Sequence, residues 1–420
     1  MDHRIDQDAL LDDFLRYVRI NTRSDPSSKS YPSTAAQLDF ASMLAGELKG
    51  LGLDDARVDK YGYVMATLPA NTSNPSPIMG LIAHMDTSPD MSGEDVKPQI
   101  HRAYDGTDLV LNSEAMITMR ADDFPLLRQY TGQTIITSDG TTLLGADNKA
   151  GIAEIMAALR FFRQHPDYPH GTIRVAFTPD EEIGKGTQFF DVKKFAADFA
   201  YTVDGGEVGE LQYENFHAAE ATLLVHGTNI HPGEAKDKMV NASLLGAAFL
   251  QKLPERERPE HSTGYEGFYH LVSFRGEVEQ AELRWIIRDF ELSGLRNRQR
   301  KMEQICQELN GQWGKDRFRL ETRDQYYNML EKLSAHKHVI ELAREAMLSL
   351  GIEPLVRPIR GGTDGARLSY TGLPCPNLFT GGHHFHGRYE FIPLESMVLA
   401  SRLIIQMAGM LTEKHVSGHP

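Results

Sequence analysis

Apolar residues recur at two spacings in the first half of this chain, and the two spacings alternate. Leu10, Leu11, Phe14 and Val18 follow the spacing of one helix face, whereas Ile78–Ala83 is a short apolar run typical of a buried strand. On this basis, helices are predicted at about 7–20, 35–52, 150–162 and 187–198, and strands at 57–68, 78–83, 173–178 and 199–203. Alternating strands and helices indicate a βαβ sheet.

The pattern changes after about residue 213. Antiparallel-type strands are predicted at 221–225, 269–275 and 281–289, with helices at 241–253 and 295–309. The αβ alternation returns with a helix at 337–350, short strands near Leu355 and Leu378, and a final helix at 393–411. The predicted fold class is therefore α/β, a mixed, mostly parallel sheet with helices on both faces, plus a smaller inserted α+β domain. The predicted boundaries are 1–212 and 328–420 for the first domain and 213–327 for the insert.

Composition and charge narrow the possible partners. Of the 420 residues, 24% are charged and 41% hydrophobic, which is ordinary for a globular protein, and the net charge is −14. This acidity argues against nucleic acid and against an anionic membrane, and the one basic run, 296–301, is expected to be a solvated helix face. Only Cys306 and Cys375 are present, as expected for free thiols in a reducing compartment.

Targeting and membrane segments are not expected. The N-terminal residues 1–8 are polar and acidic, and no apolar run approaches the length of a membrane span, so we expect a cytoplasmic protein. Residues 416–420 are expected to form a disordered tail.

A cluster of three carboxylates follows the predicted strand 173–178. Pro179 ends the strand, and Asp180, Glu181 and Glu182 come next. Parallel sheets bind ligands at the carboxyl ends of their strands, where adjacent carboxylates repel each other unless water or a cation screens them. Alone, this triplet would be interpreted as a solvated acidic turn.

Four further polar sites fall at predicted strand ends or loop starts: His84 with Asp86, Asp147, Asp204 and His386. Imidazole and carboxylate ligands suit zinc, cobalt or manganese, and one bridging carboxylate would let such a set hold two ions. Asp86, two residues after His84, is placed to accept a hydrogen bond from the imidazole nitrogen that faces away from a metal.

Each of these pieces has an ordinary structural explanation when taken alone. Asp204 before two glycines is typical of a turn, Asp147 of a helix N-cap, and any of His383, His384 and His386 could be a surface residue. Because all of these sites fall at strand ends of one αβ framework, their combination favours a metal centre instead.

The motifs HMDT, LLGADNKAG, TPDEEIGKG, TVDGG, IHPG, RGGTDG and GGHHFHG, in this order, resemble the dinuclear-zinc aminoacylase and peptidase family, M20, and within it the tripeptide aminopeptidases. The resemblance covers nearly the whole chain. It implies two divalent ions, most often zinc, with cobalt or manganese as alternatives. The implied metal ligands are His84, Asp147 as the bridge, Glu182, Asp204 and His386. Glu181 would be the general base, and Asp86 would orient His84.

The resemblance also implies a homodimer in which the inserted domain serves dimerisation and acts as a lid. His231 would reach the active site of the partner subunit, and Arg288 and Arg360, with Asn241 as a further candidate, would hold the carboxyl end of a short peptide. Asn148 departs from the family pattern, which usually has a second aspartate there, so the local charge and the substrate preference could differ.

The expected function is hydrolysis of the N-terminal residue from short peptides, tripeptides above all. A related dipeptidase or N-acyl-amino-acid deacylase is the nearest alternative, since it would use the same metals. An inactive peptide-binding relative is disfavoured because Glu181 and the full ligand set are present.

Overall fold

A computed structural model describes residues 4–414, without the side chain of Lys414. The chain forms two compact units, Met1–Tyr213 with Glu331–Arg357 and Thr363–Pro420, and Glu214–Leu330 with Pro358–Gly362. The second unit thus includes a short segment, Pro358–Gly362, that the predicted boundaries place with the first domain. The predicted tail 416–420 lies outside the described residues.

The first unit is built on an eight-stranded sheet. In spatial order its strands are Arg57–Val58, Val64–Leu68, Ile173–Thr178, Met79–His84, Phe199–Gly205, Asn377–Phe379, Glu210–Gln212 and Leu355–Val356. The four neighbours from Ile173–Thr178 to Asn377–Phe379 pair in parallel, and antiparallel pairs flank them on both sides. The sheet is therefore mixed and mostly parallel at its centre, as predicted, and the parallel strands direct their carboxyl ends to one edge.

Smaller sheets, ten α-helices and five short 3₁₀ helices complete the secondary structure of residues 4–414. A three-stranded sheet consists of Phe391–Pro393, Ile135–Thr137 and Gln99–His101, and a hairpin of Leu109–Asn112 and Ile117–Met119. The α-helices outside the insert are Gln7–Val18, Ala35–Gly50, Ala146–Gln164, Val192–Phe195, Lys337–Ser349, Asp364–Tyr370 and Leu394–Lys414, and Leu330–Leu333 lies at the border.

Among residues 4–414, one helix, Leu394–Glu413, is long and apolar enough to cross a membrane by length and composition, and 67% of its most apolar window is buried. The expectation that no segment reaches this length was therefore wrong. The helix packs against Ala146–Gln164 and Lys337–Ser349, and this packing accounts for its apolar composition.

The second unit is a four-stranded antiparallel sheet covered by two helices. Across the sheet the strands are Phe268–Gly276, Gln280–Asp289, His217–His226 and Phe318–Tyr326, and the helices are Ala242–Gln251 and Leu292–Trp313. Alternate residues of the strands face the helices, which gives a core around Trp285, Phe249 and Met302.

Local polar contacts explain two places where the secondary structure differs from the prediction. The predicted strand 57–68 is two strands, because the Asp59 carboxylate accepts hydrogen bonds from the amides of Tyr61 and Tyr63 and closes a turn. The helix predicted at 187–198 is wrong except for Val192–Phe195, since the Tyr63 hydroxyl binds the backbone of Gly186 and Phe189 in place of helical partners.

Candidate metal centre

The predicted metal ligands converge at the carboxyl edge of the central sheet. His84 ends one parallel strand, Asp204 lies near the end of its neighbour, and Glu182 follows the strand on the other side. Asp147 lies in the first turn of the helix Ala146–Gln164, and His386 lies in the loop after Asn377–Phe379. Five ligands from distant parts of the sequence therefore share one edge.

One group of ligand atoms belongs to His84, Asp147 and Asp204. His84 Nε2 lies 2.9 Å from Asp147 Oδ1 and 3.3 Å from Asp204 Oδ1. These atoms lie within 4.8 Å of one another, close enough to coordinate a single ion.

A second group contains the other oxygen of the same aspartate. His386 Nε2 lies 3.2 Å from Asp147 Oδ2 and 3.0 Å from Glu182 Oε2, again within 4.8 Å of one another. Because Asp147 offers one oxygen to each group, it is placed to bridge two ions.

The electrostatics of this cluster favour a bound cation. Burial raises the pKa of Glu182 to about 8, helped by the charge of Asp147, and burial raises the pKa of Asp204 to about 6. Burial alone would lower the pKa of His386, but hydrogen bonds with Asp147 and Glu182 raise it to about 11. The raised pKa values of Glu182 and Asp204 mean that these buried carboxylates favour a bound proton, and a bound cation would meet the same need for positive charge.

The donor set fits divalent transition metals, since it combines two imidazoles with three carboxylates and contains no thiolate. Glu182 Oε1 is buried and has no hydrogen-bond partner among residues 4–414. A buried carboxylate oxygen without a partner is costly in a folded protein unless a ligand occupies the position beside it. The identity of the metal does not follow from this geometry.

Asp86 connects His84 to the acidic turn. His84 Nδ1 lies 3.0 Å from the backbone oxygen of Asp86 and 3.3 Å from its carboxylate, so the imidazole donates mainly to the backbone. The fully buried Asp86 carboxylate accepts hydrogen bonds from the amides of Glu181 at 3.0 Å and Glu182 at 3.1 Å. Asp86 therefore holds both glutamates as well as the histidine.

The three adjacent acidic residues face different partners. Asp180, at a positive φ of 57°, points into the protein and accepts hydrogen bonds from Ser33 and Gln37. Glu181 and Glu182 lie in the 3₁₀ turn Glu181–Ile183, and this turn separates consecutive side chains by about 120°. Glu182 can thus join the ligand group while Glu181 points elsewhere.

Glu181 lies among carboxylates. Burial raises its pKa well above the usual value, and the charges of Asp364, Asp204 and Glu182 act in the same direction. Asp364 is the neighbour that sequence reasoning missed, although it lies in the quoted motif RGGTDG. It is buried at the start of the helix Asp364–Tyr370, accepts a hydrogen bond from Thr178 Oγ1 at 3.0 Å, and has its pKa raised to about 7 by burial.

Arg288 and Arg360 belong to the second unit, where aromatic rings and carbonyl groups hold them. The Arg288 guanidinium lies 5.1 Å from the Tyr326 ring centroid and donates to Gln325 Oε1 at 2.9 Å. Arg360 stacks on Phe216 and Phe268 and donates to the Ser262 hydroxyl and to backbone oxygens of residues 262–266. Phe268 is also the cross-strand partner of Arg288, so both arginines lie at the same end of this sheet.

The other predicted site residues have local contacts. His231 is exposed, and its Nδ1 accepts a hydrogen bond from the Gly233 amide at 3.1 Å. Asn241 is the N-cap of the helix Ala242–Gln251, so its side-chain oxygen is used by the Leu244 amide. Asn148 is buried, accepts from the Gly151 amide, and leaves its Nδ2 without a hydrogen-bond partner in the described part of the chain.

Comparison with known proteins identifies the class. A sequence profile described as "Peptidase family M20/M25/M40" matches residues 139–409. The chain belongs to this family.

Individual relatives narrow the comparison. A Geobacillus kaustophilus protein named Peptidase T is 55% identical over 405 residues, which is 96% of this chain and 98% of the relative. An aminopeptidase from Bacillus cereus aligns with a TM-score of 0.75 at 23% identity, over 97% of this chain and 99% of its own. A tripeptidase from Staphylococcus aureus aligns with a TM-score of 0.77 at 21% identity, over the same shares of the two chains. At these identities the two solved structures support the fold alone.

Proposed function

We propose that this chain is a metal-dependent aminopeptidase that removes the N-terminal residue from tripeptides. The observation that carries the proposal is Asp147, whose two carboxylate oxygens lie in two separate groups of potential metal ligands. Glu181, a carboxylate that is not a member of either group, follows directly on the buried Asp180 and precedes the ligand Glu182. A relative named Peptidase T with 55% identity over nearly the whole length supports the same activity.

The proposed ligands are His84 and Asp204 for one ion, Glu182 and His386 for the other, and Asp147 for both. We propose zinc, with cobalt or manganese as alternatives, because imidazole and carboxylate donors suit these ions. When bound, such ions would polarise the peptide carbonyl and make a water molecule more acidic.

Glu181 is the proposed general base. It would accept a proton from the attacking water and return that proton to the leaving amine. Burial and the neighbouring carboxylates raise the pKa of Glu181 above its usual value, which makes its carboxylate a stronger base. Asp86 would keep Glu181 and Glu182 in place through their backbone amides.

Arg288 and Arg360 are proposed to bind the carboxylate of the peptide. Guanidinium groups form paired hydrogen bonds with carboxylates, and the aromatic stacking of both side chains limits their movement. Binding of the terminal carboxylate would select one peptide length. Asn241 is the weaker candidate, because capping a helix already uses its side-chain oxygen.

A homodimer is the proposed assembly, and the second unit supports it. The strand Phe268–Gly276 lies at the edge of its sheet, with Val272 53% exposed and Phe274 38% exposed. Leu244, on the helix Ala242–Gln251, is 69% exposed. An edge strand with exposed apolar side chains is suited to pairing with a second copy of the same chain. In such a dimer His231 would donate a hydrogen bond to the oxyanion in the partner's site.

The remaining parts of the proposal concern the setting of the enzyme. We propose a cytoplasmic role in peptide breakdown and a domain division near 1–212, 213–327 and 328–420, with the insert as dimerisation and lid domain. The acidic composition is consistent with neither nucleic acid nor an anionic membrane as a partner.

A panel of matched substrates tests the proposal. Purified protein with added zinc is incubated with a dipeptide, a tripeptide, a tetrapeptide and an N-acetylated tripeptide of one composition, and the products are identified by mass spectrometry. We expect the tripeptide to lose its first residue at least tenfold faster than the others. Preference for the dipeptide would indicate a dipeptidase, and release of acetate from the N-acetylated peptide would indicate a deacylase.

A further inference from the structure

The loop that carries His386 is closed at its base by two backbone hydrogen bonds. The His383 amide donates to the Phe391 oxygen at 2.9 Å, and the Phe391 amide donates to the His383 oxygen at 3.1 Å. Glu390 lies at this base, immediately before Phe391, and only 1% of its surface is exposed. The same short loop therefore holds a half-buried ligand candidate, His386, and a buried glutamate.

The Glu390 carboxylate accepts hydrogen bonds from three backbone amides of one turn. Oε2 accepts from Leu144 and Gly145, both at 2.8 Å, and Oε1 accepts from Asp147 at 3.1 Å. These residues precede or begin the helix Ala146–Gln164. One buried carboxylate thus spans the segment from which Asp147 projects.

This turn needs a partner from another segment. The first amides of a helix have no acceptor within the helix, and Asp147 and Asn148 also have non-helical backbone torsion angles. Gly145 has a positive φ of 85° and provides no N-cap side chain, so Glu390 supplies the acceptors that a capping residue would give. The position of the Asp147 backbone therefore depends on Glu390.

We infer that Glu390 is a positioning residue that fixes Asp147 relative to His386 and thereby sets the affinity for the ion between Asp147, Glu182 and His386. The inference rests on the proposed metal site. Two of the three proposed ligands of that ion, Asp147 and His386, lie on the segments that Glu390 joins. The other ion would share Asp147, but its remaining ligands, His84 and Asp204, lie on strands of the central sheet. Loss of the connection should therefore weaken binding of the ion at Asp147, Glu182 and His386 more than binding of the other ion. Residues that hold metal ligands typically change metal affinity by about 10–100-fold when mutated.

Glu390→Gln is the informative substitution because it keeps the shape of the side chain. The single amide oxygen of glutamine can accept from Leu144 and Gly145, but its NH₂ group would then face the Asp147 amide, and two donors repel each other. The matched control is Glu395→Gln. Glu395 also binds a backbone amide with its carboxylate, that of Thr134 at 3.0 and 3.1 Å, and lies outside both ligand groups.

Zinc affinity, measured by competition with a chromophoric chelator, tests the inference without relying on activity. We expect wild-type protein to bind two ions, Glu390→Gln to bind one of them at least tenfold more weakly, and Glu395→Gln to bind both within twofold of wild type. Far-UV circular dichroism and thermal melting of the metal-free proteins will establish that each variant is folded.

Several results would overturn the inference. The first is that Glu390→Gln binds both ions with wild-type affinity. The second is that Glu390→Gln binds both ions more weakly to the same extent. The third is that Glu395→Gln shows the same selective loss of affinity as Glu390→Gln. If Glu390→Gln does not fold, Glu390→Asp, which keeps the charge but shortens the reach, is held to the same criteria. Wild-type protein that binds none of zinc, cobalt and manganese would overturn the proposed function and this inference together, whereas two tightly bound ions that Glu390→Gln leaves unchanged would contradict the inference alone.

Discussion

Replacing Asp86 by asparagine should destabilise the protein and reduce its activity together. The Asp86 carboxylate accepts the amides of Glu181 and Glu182, one with each oxygen, and lies 3.3 Å from His84 Nδ1. Asparagine retains one acceptor oxygen, so one of the two glutamate amides would face an NH₂ group. A hydrogen bond to a charged group contributes about 1.5–3 kcal/mol, and a buried donor left without a partner adds about 1–3 kcal/mol.

We therefore expect Asp86→Asn to lower the free energy of unfolding of the metal-free protein by about 2.5–6 kcal/mol. The displaced turn and the altered His84 should also lower kcat/KM for a tripeptide by about 10–100-fold at saturating zinc. Urea unfolding in the presence of a chelator gives the first quantity, and initial rates give the second.

Asp90→Asn provides the control. Asp90 Oδ2 lies 3.4 Å from His386 Nδ1, but 70% of the Asp90 side chain is exposed, so this contact is screened by solvent. We expect the equilibrium constant of folding and kcat/KM of Asp90→Asn each to stay within about twofold of the wild-type value, as is usual for an exposed pair. If Asp86→Asn behaved like Asp90→Asn, the two amide contacts would not hold the acidic turn and the reasoning would be refuted.

Three further predictions concern metal, substrate length and assembly. Chelation should abolish activity and added zinc, cobalt or manganese should restore it, whereas full activity in protein shown by elemental analysis to be metal-free would refute the metal requirement. Amidation of a good tripeptide should lower kcat/KM sharply in wild type but hardly in Arg288→Met or Arg360→Met, and equal turnover of acid and amide by wild type would argue against an arginine site. His231→Ala and Glu181→Gln should each be nearly inactive, yet regain activity when mixed under exchange conditions; no recovery, with heterodimers detected by mass spectrometry, would exclude a shared site.

Strong local patterns made the central sheet predictable from sequence. The runs at 78–83 and 173–178 are apolar and end at polar residues, and the structure places strands there at Met79–His84 and Ile173–Thr178. The strand Phe318–Tyr326 was missed because its exposed side is charged, with Arg319, Glu321 and Arg323 alternating with less polar residues.

The proposed metal ligands could be predicted from the sequence because each of them lies at or after the end of an apolar strand or begins a helix. What sequence could not provide is the contact made across long separations. Asp364 approaches Glu181 only after folding, and Glu390 meets Asp147 from 243 residues away in the chain. The roles of Asp364 and Glu390 could not be predicted, because a single carboxylate has no distinctive pattern in the neighbouring sequence. An Asp after Thr363, for example, is also common at the start of a helix.

The central claim, that Glu181 performs the proton transfer and Glu182 binds metal, is tested most directly by measuring metal content and turnover on the same samples of Glu181→Gln and Glu182→Gln. Elemental analysis should find two ions per chain in Glu181→Gln, with tripeptide turnover reduced about 10²–10⁴-fold, because the amide cannot accept the proton. Glu182→Gln should instead lose one ion. If Glu181→Gln lost metal while Glu182→Gln kept both ions and full turnover, the roles of the two glutamates would be contradicted.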